Sequence, residues 1–146
     1  MNEYIFVYVK KESSDTLIPI LDINRNCPLY DYLYPALPYD KIINVPLNIY
    51  SEWINSIATE LKHLKIKLKD YKAAKKYMIK AGEIKAIEQY SEYINEIKLE
   101  IEDYQFYKHQ LEFIKNMNDS FTGVTVYMGI ECSDATVEDI ITKESI

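Results

Sequence analysis

The chain has 146 residues, a mass of 17.2 kDa, 48% hydrophobic and 27% charged residues and a net charge of −6. That is the size and composition of one globular domain, not of a disordered chain. Three glycines are too few for a dinucleotide-binding or P-loop site or a collagen repeat, and an acidic chain whose single arginine is Arg25 is poorly equipped for sequence-specific DNA recognition.

The run Tyr4–Val9 is β-branched or aromatic throughout and predicts a strand covered on both faces. Glu12–Asp15 reads as a turn and Thr16–Ile23 as a second strand, in which Pro19 points to an edge position or a bulge. The two strands form a hairpin. Residues 24–46 hold Pro28, Pro35, Pro38 and Pro46 together with Tyr30, Tyr32, Tyr34 and Tyr39. They predict a helical turn at about 28–34, an extended piece, and a third strand at Lys41–Val45.

From residue 47 the period changes. Ile54, Ile57, Leu61, Leu64, Leu68 and Tyr71 alternate at spacings of three and four, skip Lys75 and resume at Met78. This is a heptad seam. It breaks at 80–83, where Gly82 suits a left-handed helix end, and resumes as Ile87, Tyr90, Ile94, Ile97, Ile101 and Tyr104, then Leu111 and Ile114. Two helices of about 45 Å joined by so short a turn run antiparallel. Nine lysines between Asn55 and Lys85 face seven acids between Ala86 and Glu112, an arrangement expected to favour pairing of the two helices. Residues 121–132 predict a strand that returns to the sheet, followed by a short acidic helix.

The expected fold is therefore α+β. A small, mostly antiparallel sheet lies at the base of a long antiparallel two-helix, coiled-coil-like hairpin inserted between strands. The whole of 1–146 is expected as a single domain: strands and a Tyr/Pro-rich loop over 1–46, the hairpin over 47–118, and the return strand and acidic helix over 119–146.

Catalytic signatures are absent from the pattern. The serines lie in turn or cap contexts, and the acids of the second helix are explained by a solvated face. His63 and His109 fall roughly 12 Å apart along the hairpin axis, too far to share a metal. Cys27 and Cys132 do not make a disulfide framework, and no apolar run approaches the roughly 20 residues of a membrane span. The sequence thus predicts no enzyme, no metal, no cofactor, no membrane partner, and a cytoplasmic location.

Three surfaces are left as candidates. Arg25 beside Tyr30, Tyr32, Tyr34 and Tyr39 offers a guanidinium fork and rigid aromatic area, for a protein interface or a small ligand such as a nucleotide at a subunit boundary. Trp53, Tyr77, Tyr93, Phe106 and Phe113 lie off the heptad series, with Ile66, Ile79, Leu99 and Tyr107, and predict a homo-oligomer, a dimer first. Glu138, Asp139 and Glu144 make an acidic partner-binding patch. The leading expectation is a non-enzymatic oligomeric protein-interaction module. The high content of residues with A/T-rich codons suits a phage or mobile-element accessory protein that binds and inhibits a host defence protein, in the host cytoplasm. The alternatives are the small-ligand binder and non-specific binding of nucleic acid by the lysine-rich helix. The latter is disfavoured because the lysines are expected to pair with the acidic helix of the same chain.

Overall fold

A computed structural model describes residues 3–118 and 123–132. The elements in chain order are β1 (Glu3–Lys11), β2 (Ile18–Asn24), α1 (Pro28–Leu33), a 3-10 turn (Tyr34–Ala36), α2 (Leu47–Ala81), α3 (Ile84–Met117) and β3 (Val124–Cys132). The class is α+β, with a three-stranded antiparallel sheet and a hairpin of two long helices inserted in sequence between β2 and β3. The chain divides into two compact units, Met1–Trp53 with Leu111–Ile146, and Ile54–Gln110.

In the first unit the strand order is β2-β1-β3. The central strand β1 buries Ile5, Phe6, Val7 and Tyr8 in succession, which is why its sequence lacks alternation. On one face Phe6 and Tyr8 gather Tyr4, Leu17, Ile42 and Tyr127. On the other, Ile5 and Val7 lie level with Ile130 and Met128, all of them buried. The edge strand β2 is mostly exposed, and its pairing with β1 shifts register between Val7 and Tyr8, next to Pro19. The missing N–H of Pro19 is tolerated there for both reasons.

The expected strand at Lys41–Val45 does not form. Residues 38–43 run along the outer side of β3 through two isolated bridges, Tyr39 to Ile130 and Ile43 to Met128. The N–H groups of Asp40 and Ile43 donate to the carbonyls of Ile130 and Met128 at 2.9 and 2.8 Å. Between the bridges Asp40 takes φ +57 and swings the backbone over Gly129. A β-carbon at position 129 would strike the carbonyl oxygen of Lys41, so the segment passes only above a glycine. Phe6 stands opposite Gly129 in the ladder.

In the second unit α2 buries Ile57, Leu61 and Leu64, and α3 buries Ile94, Ile97 and Ile101, all members of the heptad series. Tyr71 packs on Tyr90 and Tyr93 with ring centroids 5.9 and 5.6 Å apart. The turn is a Schellman motif. Gly82, at φ +71, donates its N–H to Ile79 O, and Glu83 donates to Met78 O at 3.1 Å. Among the described residues no helix is long and apolar enough to cross a membrane.

Candidate interaction surfaces

The Tyr-rich segment is largely a structural element. Tyr30 is 3% exposed, and its hydroxyl donates to Glu3 Oε2 at 2.8 Å. Burial and the neighbouring Glu3 carboxylate push its pKa up, so the phenol stays protonated. Tyr34 stacks on Tyr30 with centroids 5.7 Å apart and planes 17° apart. Tyr32 is half-buried, whereas Tyr34 and Tyr39 are exposed. Arg25 is exposed, in a turn in which Asn24 Oδ1 accepts from Asn26 N at 2.8 Å and Arg25 N donates to Glu3 O. Cys27 is a half-buried free thiol. The loop thus brings Tyr30 and Tyr34 together, while a groove of about 470 Å³ in the same unit is lined elsewhere, by Glu12, Asn44, Asn118 and Thr125 among others. In it Asn118 donates to Asn44 Oδ1 and accepts from Val126 N, both at 3.0 Å. That amide ties the end of α3 to β3, a role the sequence reading missed. Glu138, Asp139 and Glu144 lie outside the described residues.

The off-seam apolar residues fall into two groups. Trp53 is 6% exposed and meets Tyr50 edge to face at 5.2 Å, so it belongs to the core of the first unit rather than to an oligomer surface. Tyr77, Phe106 and Phe113 are exposed at 76%, 58% and 60%, as are Leu99, Ile66 and Ile79 at more than half. Tyr93 is at the margin, its hydroxyl bonded to Gln89 Nε2. Leu99, Phe106 and Phe113 follow one another at intervals of seven along α3. With the buried seam at heptad positions a and d, these three occupy f, opposite the seam.

The two helices do not neutralise one another. Among the described residues none of the α2 lysines forms an ion pair, and Lys67 lies over the ring of Tyr71 at 5.7 Å. The reason is heptad position. In an antiparallel pair, charges meet across the seam from the positions flanking a and d, e with e and g with g. Glu88 and Glu102 stand at b, Glu96 and Asp103 at c, and Glu92 at f, all pointing away from α2. Lys62, Lys69 and Lys76 stand at b and are likewise exposed. Lys65, Lys69, Lys72 and Lys76 line a shallow groove of about 460 Å³ with Leu68 and Ala73. The expected internal charge pairing is therefore replaced by two separately exposed rows, one basic and one acidic.

His63 and His109 are exposed, and His63 Nδ1 is 3.9 Å from Glu60 Oε2. Among the described residues no three His, Cys, Asp or Glu side chains cluster as metal ligands. No family model, curated protein or solved structure matches the chain.

Proposed function

We propose that this chain is a non-enzymatic, oligomeric protein-interaction module. The observation that carries the reading is the f row of α3, where Leu99, Phe106 and Phe113 are each about three-fifths exposed. Such a row, opposite an apolar seam that is already buried, holds hydrocarbon in water at a cost proportional to its area. A protein surface laid on it removes that cost, and a second copy of the chain is the simplest source. A dimer is the smallest such assembly. Light scattering of the purified chain at tens of micromolar tests this. The expected mass exceeds 17.2 kDa and returns to that value in Leu99→Glu with helicity retained. A wild-type chain that scatters as a single 17.2 kDa species contradicts the reading.

Within that reading the chain serves a phage or mobile element as an inhibitor of a host defence protein, acting in the host cytoplasm. Its support is the composition, together with the excess of acids after residue 118. Replacing Glu138, Asp139 and Glu144 together by alanine is expected to weaken binding to the host target and to leave self-association unchanged. Unaltered target binding removes this version.

A further inference from the structure

The exposed faces of the two helices repeat with heptad spacing. Positions b and f recur at alternating spacings of three and four on the side of each helix turned away from the a/d seam. On α2 they are Lys62, Ile66, Lys69, Ala73 and Lys76. On α3 they are Glu88, Glu92, Asn95, Leu99 and Glu102. All ten are exposed. Each row spans 15 residues, or about 21 Å over its 14 steps at the helical rise.

We propose that the outer face of α3 docks on the outer face of α2 of a second copy. This rests on the oligomeric reading above and names the surfaces and the charges that make it. Antiparallel alignment with Ile66 level with Leu99 of the second copy brings Ala73 level with Glu92, and sets Lys62 and Lys76 within one residue of Glu102 and Glu88. The apolar pair lies next to the Lys62–Glu102 pair, Lys69 and Asn95 hold the middle, and Lys76 and Glu88 close the other end. Parallel alignment also matches charges, but it sets Ile66 against Glu92. Pairing α3 with a second α3 sets acids against acids, and pairing α2 with α2 sets lysines against lysines. The combination that places opposite charges level is α2 with α3, and within one chain the a/d seam turns both rows outward. The second copy supplies what the chain cannot supply to itself.

The contact joins two different surfaces. A docked pair still presents one free face of each kind, so assembly continues beyond two chains unless it closes as a ring. Mixed lysine–carboxylate contacts at the rim are screened by salt, so the assembly loosens as ionic strength rises.

Two triple variants test the proposal. One is Lys62→Glu, Lys69→Glu, Lys76→Glu; the other is Glu88→Lys, Glu92→Lys, Glu102→Lys. Circular dichroism establishes that each keeps its helices. Each alone is expected to sediment at 17.2 kDa where the wild type reaches at least about twice that mass, and an equimolar mixture is expected to assemble again. A monomeric wild type overturns the oligomeric reading itself. A wild type that assembles, with variants that assemble equally well alone, overturns these surfaces and leaves that reading standing. A mixture that stays monomeric also overturns them. If, in addition, the wild type retains a labelled single-stranded RNA at low salt and the lysine variant does not, the lysine row serves a phosphate backbone instead.

Discussion

Tyr71 of α2 lies against Tyr93 of α3, with ring centroids 5.6 Å apart and planes tilted by 36°. The contact sets the helices in a register where level residues have numbers that sum to about 164. In that register the apolar seam closes while the charged rows stay outside. Tyr71→Ala removes the shared ring contacts with Tyr90 and Tyr93, and these are half-buried rather than core contacts. The expected cost is about 2 kcal/mol of stability, read by urea denaturation. Hydrogen exchange is expected to accelerate within residues 54–110 more than in β1.

Gly129 and Gly82 make opposite demands on an alanine. At Gly82 nothing lies within 4 Å of the added carbon, so the cost is the left-handed backbone alone, about 1 kcal/mol. At Gly129 the added carbon meets the Lys41 backbone, and the edge segment must leave β3. Gly129→Ala is expected to cost about 3 kcal/mol or more. Equal midpoints for the two variants in denaturant would contradict the close approach.

Tyr50 and Tyr30 are both buried, and they differ in their hydroxyl partners. The Tyr50 hydroxyl has no hydrogen-bond partner among the described residues, whereas that of Tyr30 donates to Glu3. Tyr50→Phe is expected to leave stability unchanged or to raise it by up to about 1 kcal/mol, because it removes a buried polar group that gains nothing. Tyr30→Phe is expected to lower stability by about 1 kcal/mol. Thermal melts at neutral pH distinguish the two.

The same phenols set an alkaline limit. Burial raises the pKa of both above the ordinary tyrosine value of 10.0. Folding therefore favours the protonated form. The stability this contributes is complete below the unfolded pKa of 10.0 and is lost progressively as pH rises above it. Denaturation midpoints are expected to hold up to that pH and then fall, with a shallower fall in the Tyr30→Phe, Tyr50→Phe double variant. An identical fall in both proteins would contradict the assignment.

The periodic features were legible in the sequence. Alternation of three and four from Ile54 to Tyr71 and from Ile87 to Tyr104 gave both helices, and Gly82 gave the turn between them. Pro19 marked an edge strand. The edge segment 38–43 was not legible as two bridges, because its path depends on a left-handed Asp40 and on the absence of a side chain at Gly129, far away in sequence. Trp53 looked like surface because it falls off the heptad, yet the first turns of α2 belong to the sheet-bearing unit and bury it. The charge pattern misleads for another reason: heptad position, not helix, decides which lysines and acids meet, and positions b and f carry that information.

The most direct measurement is sedimentation of the wild-type chain over a concentration series at low and at high salt. The expected weight-average mass lies above 17.2 kDa, rises with concentration at low salt and falls toward 17.2 kDa at high salt. A single 17.2 kDa species at every concentration in low salt would contradict it.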